Sequence, residues 1–377
     1  MLGSCLKPEI YIVICASLAL LSAGLIASNF LLAPMLRFIR GARGTEAAGL
    51  PGTVSSISII VPSYNEEHNI DKKIDTLRLA LQRVDVEVEV IIGSDGSTDK
   101  TVEIIRSRLK EADLQNWRLL EFVNEGKCST LNKLVAAARG NIIISTDADI
   151  PLPENSIELV VSAFRANTRL GCLSCIPWFE GMNIGSQKTY WNIEDQIRRS
   201  ESALGRLIVV TGMLYAYRRE LFEKIPDGVM ADDLWVPLNV LIKGYESVQV
   251  EDLRVPYEKT DEQTEIIRRK RVIAGGMDVV RRLWSQLMST PSLLLLVLFH
   301  KVNRWALPVW LCLFLAAVAA LMPWIIVGYL AGAIFAYWYL GRERFFRFGY
   351  AAISPVLSFA EVLGKTDFAR WEHTRKH

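Results

Sequence analysis

Short runs rich in Ile, Val and Leu alternate with amphipathic segments between residues 56 and 150. Ser58-Ile-Ile-Val61, closed by Pro62, is a continuous run, the pattern of a strand buried on both faces. Ile70, Ile74, Leu77 and Leu81 then recur at helical spacing. Val86 to Ile92 reads as a second strand, and Thr98 to Leu109 as a helix with Ser97 or Asp99 near its cap. Arg118 to Val123 is a third strand. Gly126 to Arg139 is a helix with Leu131, Leu134, Val135 and Ala138 on one face, and Asn141 to Thr146 is a fourth strand. This rhythm predicts an α/β fold, a mostly parallel sheet covered by helices. Such sheets bind ligands outside the carboxyl ends of their strands.

The pattern from Pro151 to about Glu258 is less regular. It predicts strands near Leu170–Ile176 and Met213–Arg218 and a helix from Leu234 to Lys243, and Thr260 to Leu287 reads as a long basic helix. The outer segments differ in kind. Ile10 to Met35 carries no charge and is long enough to cross a bilayer, and Arg37, Arg40 and Arg43 follow it. By the positive-inside rule the domain after them faces the cytoplasm. Leu293–Phe299 is too short to span and reads as interfacial. Trp305 to Leu340 is uncharged and broken by Pro308 and Pro323, which predicts two short spans returned to the cytoplasm by Arg342, Arg344 and Arg347. Gly349 to Gly364 reads as interfacial or re-entrant. The expected organisation is a transmembrane helix and flank over 1–40, a Gly/Ala-rich linker over 41–55 and a catalytic domain over 56–260. Basic and interfacial helices follow over 261–304, two transmembrane helices over 305–341, and an interfacial segment and cytoplasmic tail over 342–377.

Charge and cysteine content narrow the partners. A net charge of +2 over 377 residues argues against nucleic acid as the main partner, whereas the apolar segments imply membrane lipids and an integral place in the cell (inner or plasma) membrane. The six cysteines are scattered, and Cys172-x-x-Cys175 has no second pair or nearby His, so it reads as two small residues of a strand.

Polar clusters sit where these elements end. Asp147-Ala-Asp149 follows the fourth strand. On extended chain two carboxylates spaced i, i+2 point the same way, which suits a divalent metal and the diphosphate it carries. Pro62-Ser-Tyr-Asn-Glu66 follows the first strand, Ser94-Asp95-Gly-Ser-Thr-Asp99 the second, Gly126-Lys127 opens the third helix and Asp232-Asp233 opens a later one. Arg268-Arg269-Lys-Arg271 can grip phosphates. Trp178 and Trp191 are candidate sugar platforms.

Together these residues resemble the family 2 glycosyltransferases, the inverting group with a GT-A nucleotide-sugar domain, over roughly Ser56 to Gly276 and in the membrane layout. The resemblance implies that Pro62, Tyr64, Glu66 and Asp95 hold a nucleoside and that Lys127 lies near the nucleotide. It implies that Asp147 meets the ribose, that Asp149 takes Mg²⁺ or Mn²⁺, and that Asp233 is the catalytic base. Asp232, Arg268, Arg269, Arg271, Trp178 and Trp191 fall to the acceptor and diphosphate side. The expected substrates are a nucleotide sugar, UDP-linked, and a lipid-linked or glycan acceptor. There are two departures from the family pattern, the first on the nucleoside side and the second on the product side. Ser94-Asp95 has one carboxylate where many members have two. Arg268-Arg-Lys-Arg271-Val272 stands where processive hyaluronan and cellulose synthases carry Gln-x-x-Arg-Trp, which favours addition of one sugar. The alternative expectation is a processive synthase of the hyaluronan, cellulose or poly-N-acetylglucosamine type, and a non-catalytic membrane scaffold stands behind both.

Overall fold

The computed structural model describes residues 8–38, 54–111, 114–178, 186–256 and 262–321. The described residues divide into two compact units, one within 36–294 and the other within 8–35 and 295–321.

The larger unit is organised by a seven-stranded sheet. Its strands are β1 (Ser56–Ser63), β2 (Glu87–Asp95), β3 (Trp117–Phe122), β4 (Ile142–Thr146), β5 (Leu170–Trp178), β6 (Leu214–Arg218) and β7 (Glu246–Pro256). Their spatial order is β3-β2-β1-β4-β6-β5-β7. The first four are parallel, β6 runs antiparallel between β4 and β5, and β7 is parallel to β5.

Both faces of the central strands are buried, as their unbroken apolar runs require. Ile57, Ile59 and Val61 of β1 alternate onto one face, against Ile70, Ile74 and Leu77 of α2 (Ile70–Leu81). Ile105 of α3 (Thr101–Arg108) and Phe164 of α5 (Ser156–Ala166) complete that core. The opposite face is covered by α4 (Lys127–Ala137), close enough that a Cβ on Gly93 of β2 would meet Leu134 at 2.9 Å. The helices α6 (Ser186–Ala203), α7 (Asp232–Ile242) and α8 (Glu262–Arg282) complete the described part of the unit with α9 (Trp284–Met288). The expected single helix over Thr260–Leu287 is thus two, parted at Leu283.

In the smaller unit, α1 (Pro8–Phe38) is tied to the C-terminal segment by Asn303. This buried side chain donates to the Leu25 carbonyl at 3.0 Å and to Ser28 Oγ at 2.8 Å. Helix α10 (Pro291–Val297) runs into a π-helical turn, Leu298–Val302. Among the described residues no single helix is long and apolar enough to cross a membrane. One pair, Pro291–Trp305 with Val309–Leu321, passes that test together and is bent by 68°. Pro308 lies at the break, where its missing N–H interrupts the helical ladder. The second expected span, from 322 to 341, and the segment 342–377 lie outside the described residues.

Candidate active site

The loops after β1 and β2 are held to each other. Asn65 adopts a left-handed conformation, φ 52°, tolerated by Asn because its short side chain can bond locally. Its Oδ1 accepts from the Thr98 backbone N–H at 2.8 Å, and its own N–H donates to Ser97 Oγ at 3.1 Å. Glu66 is buried, donates its backbone N–H to Thr101 Oγ1 at 2.7 Å and accepts from Asn69 Nδ2 at 2.7 Å. Asp99, one residue before the Lys100 N-cap of α3 and so near the cap as expected, accepts from the Thr101 N–H at 3.0 Å. Pro62 is buried, and Tyr64 is half-buried at the mouth of this loop.

Asp95 is fully buried. Its carboxylate accepts from the backbone N–H groups of Glu125 and Gly126, at 3.0 and 2.9 Å, and from Thr130 Oγ1 at 3.0 Å. A carboxylate at the start of α4 complements the helix dipole. Gly126 there has φ 97°, which glycine adopts without strain. The Asp95 carboxylate braces the loop carrying Lys127.

Lys127 opens α4 and joins three elements. Its Nζ lies 2.9 Å from Asp147 Oδ1 and 3.6 Å from Asp232 Oδ2. Burial would lower the pKa of this ammonium, but Asp147 and Asp232 outweigh it and hold the pKa above the ordinary lysine value. Asp232 is buried at the first turn of α7 and also accepts from Tyr215 Oη at 2.8 Å. Burial, and then the charge of Asp232, raise the Tyr215 pKa well above its ordinary value, so this phenol stays a donor. Asp233, the neighbour on the same helical turn, is half-buried. Gly212 adjoins the pair, and a Cβ there would lie 3.5 Å from both Asp147 Oδ2 and Lys127 Nζ.

The Asp147–Asp149 segment corrects the extended geometry expected from spacing alone. β4 ends at Thr146, and the Ile150 N–H bonds back to the Asp147 carbonyl at 3.4 Å, so the chain turns at Ala148-Asp149. Ala148 is buried in this turn, whereas Asp147 and Asp149 keep partial exposure. What brings the carboxylates to one mouth is therefore a turn at the strand end.

The remaining candidates scatter more widely. Trp178, at the end of β5, is 46% exposed, and the Arg254 guanidinium lies 5.2 Å from its ring centroid, occupying one indole face. Trp191 lies on α6, and its side chain is outside the described residues, as are those of Arg268 and Arg269 on α8. Arg271 is exposed one turn before Gly275, where α8 approaches Ala231 so closely that a Cβ would meet its side chain at 3.3 Å. The basic helix thus passes beside the residue preceding Asp232-Asp233. Cys172 and Cys175 are buried free thiols of β5, both pushed up to about 12 by burial.

Among the described residues no group of three or more His, Cys, Asp or Glu could hold an ion by itself. The donor set at the β4 turn is two carboxylates. That fits Mg²⁺ or Mn²⁺, hard cations that complete their shells with substrate phosphates and water, and does not fit a closed structural metal site.

Residues 58–226 match the model of Glycosyl transferase family 2. The chain is 26% identical over 259 residues to a poly-beta-1,6-N-acetyl-D-glucosamine synthase of Staphylococcus epidermidis, covering 66% of this chain and 61% of that protein. A synthase of the same name from Staphylococcus aureus is 23% identical over 257 residues, again 61% of its length. The chain therefore matches somewhat less than two thirds of these relatives' length. In fold it is similar to a mannosyltransferase from Pyrobaculum calidifontis solved with GDP-Man and Mn²⁺. The TM-score is 0.67 at 22% identity, covering 92% of this chain and 99% of that one.

Proposed function

We propose that this chain, whose residues 58–226 form a family 2 glycosyltransferase domain, moves a sugar from a nucleotide sugar to a lipid-linked or glycan acceptor at the cytoplasmic face of the cell membrane, with inversion. The observation that carries this reading is the meeting of Lys127 with Asp147 and Asp232, at 2.9 and 3.6 Å. It brings the carboxyl end of β4 and the amino ends of α4 and α7 to one place.

Each side chain then has a task. Pro62, Tyr64, Glu66 and Asp95 hold the nucleoside, and Asp95 also fixes the Glu125–Gly126 turn beside it. Asp147 meets the ribose. Asp149, with Asp147, would hold Mg²⁺ or Mn²⁺, which supplies positive charge against the diphosphate leaving group. Lys127, kept protonated by its two carboxylates, adds a second positive charge at that end. Asp233 takes the proton of the acceptor hydroxyl from its place in the first turn of α7, where the helix dipole favours a negative charge. Inversion needs one such base and no covalent intermediate. Arg268, Arg269 and Arg271 are assigned to phosphates of the donor or of a lipid-linked acceptor, and Trp178 and Trp191 to the acceptor sugar. Arg37, Arg40 and Arg43 after the first apolar segment support the cytoplasmic orientation, and a UDP-sugar is the expected donor.

A second reading, a processive synthase releasing a long polymer, is favoured by the names of the Staphylococcus relatives. A release assay over UDP-, GDP- and dTDP-sugars with membrane lipid extract separates the possibilities. One-sugar products that require the lipid extract support single addition. A ladder of long chains without added acceptor supports the synthase. No nucleoside diphosphate release with any donor contradicts both.

A further inference from the structure

Lys73 stands in the apolar row of α2, between Ile70 and Ile74, and is 1% exposed. A lysine that deep must find acceptors, because a buried unpaired ammonium is costly. It finds two. Its Nζ donates to Thr146 Oγ1 and to the Ile150 carbonyl, each at 2.7 Å. Thr146 Oγ1 in turn donates to the Met213 carbonyl at 2.7 Å, which ties the assembly to the residue preceding β6. The two acceptors are the last residue of β4 and the last residue of the Asp147–Ile150 turn. One side chain therefore bridges both feet of the turn bearing Asp147 and Asp149.

We propose that Lys73 is a positioning residue for this turn, a buried brace that fixes the separation and aim of the Asp147 and Asp149 carboxylates before a divalent cation arrives. The proposal rests on the reading of those carboxylates as the metal end of the site. Burial pushes the Lys73 pKa down to about 7 against the upward pull of Asp147, Asp149 and Cys175, so its place in the apolar interior is electrostatically expensive. A methionine would fill the same apolar row without that cost and without the bridge.

Charge and brace predict opposite signs. Removing a nearby positive charge should tighten cation binding, whereas removing the brace should loosen it. Groups that orient metal ligands typically cost about 10- to 100-fold in metal affinity when lost. The test uses the full-length chain in detergent, with Mn²⁺ binding in the presence of UDP read by electron paramagnetic resonance. Lys73→Met removes brace and charge, and Thr146→Val removes one leg of the brace and keeps the lysine. Both variants are expected to bind Mn²⁺ about tenfold more weakly while unfolding cooperatively, with kcat lowered more than the acceptor KM is raised. Tighter or unchanged Mn²⁺ binding in Lys73→Met, with Thr146→Val at wild-type affinity, overturns the brace. Absence of UDP-dependent Mn²⁺ binding in the unaltered chain overturns the metal reading itself, an outcome distinct from failure of Lys73 alone.

Discussion

At the scale of single residues, Lys127 shows how the site is held ready without substrate. Two carboxylates near one another repel, and Asp232 is too deeply buried to be screened by water. The ammonium between them removes that repulsion and leaves a cation at the mouth. Lys127→Met is therefore expected to lower nucleoside diphosphate release by about 100-fold or more. It should also cost about 1–3 kcal/mol of stability, because Asp232 loses a charged neighbour in a buried setting. Release kinetics and urea unfolding measure the two effects separately.

Lys73 gives a pH signature with a defined sign. Its folded pKa is lowered to about 7 from 10.5, so between these values the unfolded chain binds more protons than the folded one. Stability should rise with pH across that window, by at most about 1.4 kcal/mol per unit, and level off outside it. The Lys73→Met variant should lack this rise in denaturant titrations run from pH 6 to pH 10.

Asp147, Asp149, Asp232 and Asp233 were legible in the sequence because each stands at the end of a strongly patterned element. Lys73 and Tyr215 were not. Lys73 occupies the phase of Ile70, Ile74 and Leu77, and a polar residue in an apolar row was the available signal. Tyr215 lies within a strand, where only the three-dimensional pairing places its hydroxyl beside Asp232. Asp95 stood out at the end of the second strand, but its burial against the Glu125–Gly126 turn belongs to tertiary contacts that spacing does not reveal.

Among elements, those buried on both faces were readable. β1 and β4 carry short Ile-rich runs, β2 alternates up to its Ile91-Ile92 pair, and α2 and α4 show a clear helical period. The elements that escaped are polar or half-exposed. β7 carries Glu251, Asp252 and Arg254 and lies at the sheet edge, where one side meets water. α6 is mostly polar along Ser186–Ala203 and gives no apolar stripe from sequence. The core that supports the site should be sensitive in proportion to burial. Phe164 of α5 is fully buried, with the Arg218 guanidinium 5.6 Å from its ring centroid. Phe164→Ala is expected to destabilise the larger unit by about 3–5 kcal/mol. Thermal unfolding should show a lower midpoint, with UDP-dependent Mn²⁺ binding retained below it.

For the whole molecule, the site and the membrane reading make separate demands. Ile12, Leu20, Leu21 and Val309 are exposed apolar side chains, a pattern that suits lipid better than water. The full chain is expected to sediment with membranes and to be released by detergent but not by alkaline carbonate. Release by carbonate would contradict an integral anchor. The central claim, that Asp233 is the base of a metal-dependent sugar transfer, has its most direct test in Asp233→Asn of the full-length chain, with a UDP-sugar and lipid acceptor. The account predicts unchanged Mn²⁺ and UDP binding with acceptor-dependent UDP release lowered by about 100-fold or more. Release at the wild-type rate would contradict it.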